Sequence, residues 1–394
     1  MVIYLEYLGV TLAELLNARL VLEPLATSLA AERHRRSRHR PAAGGVAGGT
    51  TVAPRSAGAT RRVPHRAGGA VENPVLQLFI DVLMRLTTRY ALRSRTDSAA
   101  DAIEALDYMH NDHFDIAAAV TVGDAARAKT LSERHVEAVN VWLQEHQPRK
   151  GRTGRRRVPA DGEVPRGKLA EVVAAAICDE IGSGGWEVGS VFGTETALLE
   201  RYRVSRAVLR EAVRLLEYHS VAQMRRGPGG GLVVTKPYAQ ASIDTIALYL
   251  QFRKPSREDL RCVRDAIEID NVAKVVTRRA EPEVAAFLHA HRSALEGTPR
   301  AVDDARQATS EESRFHIGLA QLAGNGLLDL FLRIIVELFR RHWSSTGQEP
   351  PSRDDVVAVE HAHLRILDAI AAGDDSLAHY RIRRHLDAAA SRWL

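Results

Sequence analysis

The chain has 394 residues, 45% of them hydrophobic and 26% charged, which suits a soluble globular protein of two or three domains. Its formal net charge of +5 permits a polyanionic partner without requiring one. No stretch reaches the ~18 apolar residues of a membrane span. The opening "MVIYLEYLGVTLAELL" has no basic residue and holds Glu6 and Glu14, unlike a signal peptide. Cys178 and Cys262 stand alone in helical patterns, so neither a thiolate metal site nor a disulfide framework is expected, and a reducing, cytoplasmic setting is. Aromatic content is 5%, and Ala, Leu, Arg and Val dominate, which favours helix over sheet.

From the N-terminus, the chain states one pattern and later repeats it. "YLEYLGVTLAELLNARLVLE" (Tyr4–Glu23) aligns without gaps on "YLQFRKPSREDLRCVRDAIE" (Tyr249–Glu268), setting Leu15 on Leu260, Arg19 on Arg264 and Glu23 on Glu268. "ENPVLQLFIDVL" then resembles "GNGLLDLFLRII", with Asn73 on Asn325 and Phe79 on Phe331. "HFDIAAAVTVGDAARAKTLSERH" (His113–His135) matches "HLRILDAIAAGDDSLAHYRIRRH" (His363–His385). Three blocks in one order indicate a duplicated domain. The first copy is interrupted at residues 34–69, which are rich in Arg, Gly, Ala, Pro and Thr without apolar periodicity and read as disordered. A basic Pro/Gly-rich linker fills residues 147–167.

Residues 168–237 have no counterpart elsewhere in the chain. "KLAEVVAAAICDEIGSG" has helical apolar spacing and ends in Gly. "TETALLERY" is a short helix with a Thr cap and an early acid, Glu195. "SRAVLREAVRLLEYH" is a third helix, with Ser205 as N-cap and Leu209, Val213 and Leu216 on its buried face. Arg206, Arg210 and Arg214 recur every four residues on another face. "VAQMRRGPGGGLVVTKP" reads as a two-stranded hairpin turning through glycines. Three helices and a hairpin describe a winged helix-turn-helix. An arginine row alone is more often a solvated face; the helix–turn–helix–wing order is what points to DNA. Arg offers a bidentate fork to guanine or a contact to phosphate. Arg225, Arg226 and the wing glycines, Gly230 among them, would let the hairpin approach the DNA backbone.

These residues resemble the DNA-binding domain of GntR-family transcription regulators, through Glu195, Val204-Ser205-Arg206, Arg210-Glu211-Ala212 and the Gly-rich wing. "VFGTE" stands where the family usually has Leu-Pro-Ser before the Glu, which puts a contact from the second helix in doubt. The resemblance implies DNA contacts from Arg206 and Arg210 first, then Arg214 and Gly230.

The C-terminal copy, residues 239–394, is helical in pattern. Glu312 and His316 are four apart on one helix face, and His363 and His385 flank the Gly-Asp break. A carboxylate with three imidazoles suits Zn²⁺ or Ni²⁺, although helix-face histidines more often have no metal. This copy resembles the FCD ligand-binding domain of the FadR subfamily of GntR regulators. The resemblance implies a helical bundle around a small-molecule pocket, with a divalent ion held by Glu312, His316, His363 and His385; Glu312 replaces the usual Asp. It also implies ligand contacts from Arg264 and Asn325. Arg264 serves equally well as a ligand-carboxylate contact or as a partner of Glu268. The first copy keeps His113 and His135 but lacks the segment that would supply the Glu/His pair.

The expected architecture is mainly α. A degenerate FCD-like domain (1–146) and a linker (147–167) precede the winged helix-turn-helix (168–237) and the FCD domain (239–394). The expected function is a DNA-binding transcriptional repressor, not an enzyme. Its partners would be a double-stranded operator, a small carboxylate effector and a second chain in a homodimer, although the extra copy offers a pairing partner within the chain. A metal-dependent hydrolase and a non-sensing scaffold or near-pseudogene product are the alternatives.

Overall fold

Helix ends are set by the same side-chain chemistry in both copies. In the computed structural model, which describes residues 9–39, 73–93, 99–146, 166–227, 229–237, 239–296, 305–346 and 352–392, α1 spans Leu12–His39. Thr11 and Glu14 close its start as a capping box: the Glu14 amide donates to Thr11 Oγ1 at 3.2 Å, and the Thr11 amide to Glu14 Oε2 at 2.7 Å. Ser256 and Asp259 do the same for a helix at Arg257–Thr277, at 3.1 and 2.9 Å. Asn73 caps α2 (Pro74–Arg93), its Oδ1 accepting from Val75 and Leu76 at 3.0 Å. Asn325 accepts from Leu327 and Leu328 at 3.1 Å before the helix Gly326–Thr346. Gly123 at φ 85° ends α3 (Ala99–Val122), and Asp124 starts α4 (Ala125–Glu145) by accepting from the Arg127 amide at 3.0 Å. Gly373 at φ 72° and Asp374 repeat that break. The sequence repeat is thus a repeat of helix boundaries.

α1 continues through His39, past the residue-34 boundary at which composition suggests disorder. "AERHRRSRH" contains no Gly or Pro, so a helix already nucleated upstream propagates through it. The remainder of that run, and nearly all of the basic linker, lie outside the described residues.

Contacts divide the chain into two units. The first comprises Met1–Glu14, Pro148–Phe252 and Thr277–Leu364. Its winged module consists of α5 (Arg166–Ser183), β1 (Val191–Gly193), α6 (Glu195–Tyr202), α7 (Arg206–Tyr218), β2 (Ala222–Arg225) and β3 (Gly231–Val234). Leu169, Val173 and Ile177 of α5 pack with Leu209, Val213 and Leu216 of α7 and Leu232 and Val234 of the sheet in one buried cluster. Trp186 Nε1 donates to the Thr235 carbonyl at 2.9 Å, tying the loop after α5 to the end of β3. The expected two-stranded hairpin is a three-stranded antiparallel sheet of order β1-β3-β2, with Val191 opposite Val233 and Ala222 opposite Val234. β1 has only three residues, too few for alternation to show in the sequence. The same unit holds α8 (Ala239–Arg253) up to Phe252, α10 (Pro282–Glu296), α11 (Ala305–Ala323), α12 (Gly326–Thr346) and α13 (Arg353–Ala372) up to Leu364.

The second unit comprises Leu15–Gln147, Arg253–Val276 and Arg365–Leu394. It contains α1 from Leu15 on, α2, α3 and α4, most of α9 (Arg257–Thr277) and α14 (Asp375–Arg392). Leu15, Leu16, Leu22, Val75, Leu76, Phe79, Val263 and Ile267 are buried in it. Arg19 pairs with Glu23, Nε to Oε1 at 2.5 Å, and Arg264 pairs with Glu268 in the equivalent place.

Candidate functional site

The winged module is organised around α7. Thr194 caps α6 by accepting from the Ala197 amide at 3.3 Å, and Glu195 puts its charge in the first turn, against the positive end of the helix dipole. α6 ends at Arg203, which takes the left-handed conformation at φ 53°. Ser205 then caps α7, its Oγ accepting from the Val208 amide at 3.4 Å. α7 buries Val208, Leu209, Ala212, Val213 and Leu216 and leaves Arg206, Arg210 and Arg214 exposed.

Those three guanidinium groups make no hydrogen bond or ion pair among the described residues. Other arginines of the same unit are held: Arg201 by Glu180, Arg333 by Asp329 at 2.9 Å, Arg341 by Glu337 at 2.6 Å. A row of unheld cations beginning at a helix N-terminus is available to an external anion. The wing adds exposed Arg225 and Arg226 beside a glycine turn. Gly227 and Gly229 have φ of 101° and 74°, and a Cβ on Gly230 would stand 2.5 Å from the Arg225 carbonyl oxygen. Gly230 is therefore required by the turn itself. Exposed Arg203, at the turn between the helices, was not among the residues singled out from sequence; its place directly before Val204-Ser205 was the available signal.

The first unit also holds a buried acid–imidazole cluster. Glu312 and His316 lie one turn apart on α11, and Glu312 Oε1 is 3.0 Å from His316 Nε2. Glu312 Oε2 is 2.9 Å from Nε2 of His363 on α13. His316 is 1% and His363 4% exposed, so neither imidazole reaches bulk water. Phe315 stacks on the His363 ring, centroids 3.8 Å apart, and fixes its plane. One ligand atom from each of Glu312, His316 and His363 lies within 4.8 Å of the others. Burial opposes the Glu312 charge, but His316 and His363 outweigh it and hold the carboxyl well below its usual range. An ionised carboxylate in such a place requires nearby positive charge, from imidazolium or from a cation. His385, the fourth expected residue, is buried on α14 of the second unit.

The first copy brings its matching histidines together. His113 and His135 face each other with Nε2 atoms 3.2 Å apart, and His135 Nδ1 is 3.2 Å from Asp112 Oδ2. Burial lowers the His135 pKa despite Asp112. Asp112 was not anticipated; only its place beside His113 hinted at it.

The two expected ligand contacts differ. Arg264 donates through Nε to Glu268, one of the two roles open to it. Asn325 stands at the start of α12. Its Oδ1 caps α12 and its Nδ2 donates to the Glu14 carbonyl at 2.9 Å, so both ends of the amide are engaged by backbone. Among the described residues, no helix is long and apolar enough to cross a membrane.

Comparison with known proteins finds two families along the chain. The FCD domain family matches residues 14–138 and again 259–388. The family of bacterial regulatory proteins, gntR family, matches residues 169–232. The HTH-type transcriptional regulator LutR of Bacillus subtilis (strain 168) is 26% identical over 214 residues, covering 52% of this chain and 92% of the relative. The uncharacterized HTH-type transcriptional regulator YcbG of the same organism is 26% identical over 228 residues, 57% of this chain and 89% of the relative. A putative HTH-type transcriptional regulator, RmpR of Mycobacterium gastri, is 26% identical over 225 residues, 57% and 79%. Among solved structures, Streptococcus agalactiae GntR covers 56% of this chain and 99% of its own, with 21% identity and a TM-score of 0.40.

Proposed function

The chain belongs to the GntR family of bacterial transcriptional regulators, with FCD effector-binding domains, and on that premise we propose that it is a repressor released from its operator by a small carboxylate. The observation that carries the reading is the exposed Arg206–Arg210–Arg214 row on a helix whose opposite face is fully packed. Arg206 and Arg210, nearest the N-terminus of α7, contact base edges or phosphates in the major groove. Arg214 adds a phosphate contact, and Ser205 keeps its hydroxyl hydrogen for one while its oxygen caps the helix. Glu195 orients the start of α6, and Arg225, Arg226 and Gly230 bring the wing to the backbone. A two-fold operator needs two reading heads, and the chain carries one, so two chains occupy each operator.

The C-terminal FCD domain is the sensor. We propose Glu312, His316, His363 and His385 as the ligands of a divalent ion, Zn²⁺ or Ni²⁺. Three imidazoles and one carboxylate match the donor preference of these ions, and the Glu312 carboxylate lies 3.0 Å from His316 Nε2 and 2.9 Å from His363 Nε2. The repeat supports His385 as fourth ligand: its counterpart His135 lies with Nε2 3.2 Å from that of His113, the counterpart of His363. When bound, such an ion supplies a Lewis acid for an effector carboxylate. Phe315 holds the His363 imidazole in plane, and Glu312 orients two imidazoles at once. Arg264, already on Glu268, is the second candidate for the effector carboxylate.

Effector and operator must weaken each other's binding by the same factor. A panel of small carboxylates, with and without Zn²⁺, titrated into the chain bound to its own upstream DNA, tests this. At least one should release DNA only in the presence of metal. DNA affinity unmoved by every carboxylate and by metal would overturn the sensing half of the proposal.

A further inference from the structure

Asn73 and Asn325 occupy the same position in the two copies, and so do Glu14 and Asp259. In the second unit, Asn73 Nδ2 donates to the Asp259 carbonyl at 2.8 Å. In the first unit, Asn325 Nδ2 donates to the Glu14 carbonyl at 2.9 Å. One hydrogen bond is therefore made twice, from copy one to copy two and from copy two to copy one. Residue i of one partner meeting residue j of the other, and j meeting i, is the mark of an isologous pair.

The contact is built rather than incidental. Asn73 is 0% and Asn325 5% exposed, and each amide also caps its own helix through Oδ1. A buried amide satisfied at both ends costs little, whereas one losing its carbonyl partner would leave a donor unpaired. Around Asn73, its Nδ2 also lies 3.2 Å from Cys262 Sγ, Arg33 pairs with Asp259 at 3.5 Å, and Asn17 donates to Asp270 at 3.4 Å. Around Asn325, the Gly326 amide donates to Glu14 Oε1 at 2.8 Å. The helices that the two asparagines cap bury matching positions, Val75, Leu76 and Phe79 in one and Leu327, Leu328 and Phe331 in the other, all at 0% exposure. Each of the two compact units also draws segments from both copies.

We propose that this surface is the pairing face of the sensor domain, and that the chain fills it with its own second copy. The sensor pair is then complete within one chain, and the chain is a monomer in solution with a single reading head. The two chains of an operator complex meet on the DNA, not through their sensors. The first copy is kept as a fixed partner for the second, even though it lacks the Glu312/His316 counterparts.

The test uses the full chain without DNA, so it is independent of whether α7 reads sequence. Sedimentation equilibrium should give a mass near 43.3 kDa, with no dimer at concentrations up to about 10 µM. A specific protease site placed within residues 147–167 should, once cut, leave two pieces that migrate together natively and part only in denaturant. A mass of twice the chain in that range, or separation of the native pieces after cleavage, overturns the proposal.

Discussion

Gly230→Ala in the wing isolates a single geometric cause. The new Cβ would stand 2.5 Å from the Arg225 carbonyl oxygen, 2.8 Å from the Gly227 carbonyl oxygen and 3.1 Å from the Arg226 carbonyl carbon. All three are backbone atoms, so no rotamer change relieves the contact; the turn must open. Opening it breaks the hydrogen bond from the Gly230 amide to the Gly227 carbonyl, now 2.9 Å. The lost bond and the displaced strand end together cost about 1–3 kcal/mol. Gly229→Ala is the control: its φ is 74° but a Cβ there meets nothing within 4 Å, so only the left-handed backbone is penalised, by about 1 kcal/mol. The buried cluster of α5 and α7 includes neither glycine, so both variants keep the fold. Thermal unfolding should rank Gly230→Ala below Gly229→Ala. DNA affinity should fall about tenfold in Gly230→Ala, the equivalent of ~1.4 kcal/mol, as Arg225 and Arg226 move. Gly230→Ala unfolding no earlier than Gly229→Ala would refute the reasoning.

The purified chain should take up about one Zn²⁺ per chain, and chelation should lower its melting temperature, because an ion bound only by the folded state stabilises it. His363→Ala should abolish uptake; full uptake by that variant would remove the site. Burial lowers the His135 pKa below 6.5 in the folded state, so below pH 6.5 the unfolded chain binds more protons. Stability should then fall as pH drops from 6.5 through the folded pKa, and His135→Asn should show a shallower fall in urea unfolding. An identical pH dependence in both would contradict that assignment. Cys262 is pushed up to about 12, first by burial and then by Asp259 and Glu258. In the native chain at about pH 8 it should resist alkylation that labels it readily in urea; rapid native labelling would show that the thiol is not enclosed.

The winged module was legible because its signals are local. Thr194 and Ser205 are caps that act within three residues, and the Leu209–Val213–Leu216 face follows from helical spacing. The Arg264–Glu268 pair is legible for the same reason, being four residues apart on one helix. β1 escaped because its pairing with β3 joins Val191 to Val233 across intervening helices. The hydrogen bond from Asn325 to the Glu14 carbonyl was not legible, because that partner lies in the other copy of the repeat. Sequence showed that the copies are alike; only coordinates could show which of their matched residues touch. Asp112 belongs to the same class, since its contact with His135 depends on how α3 and α4 face each other. The start of the supposed disordered run was misplaced because composition counts residues, whereas helix propagation depends on what precedes them.

The most direct measurement is equilibrium binding of the full chain to labelled DNA from its own upstream region, at near-physiological salt and with excess non-specific competitor. It is repeated with Arg206→Ala plus Arg210→Ala. Each guanidinium contact to a base edge is worth about 1–3 kcal/mol, so losing two weakens specific binding by about thirtyfold or more. Both side chains are exposed, so the melting temperature should not change. Retention of labelled DNA by the native chain and its loss in the variant is the predicted result. Equal binding by both, removed from both by competitor, would mean that the basic segments attract DNA by charge alone and that α7 does not read sequence.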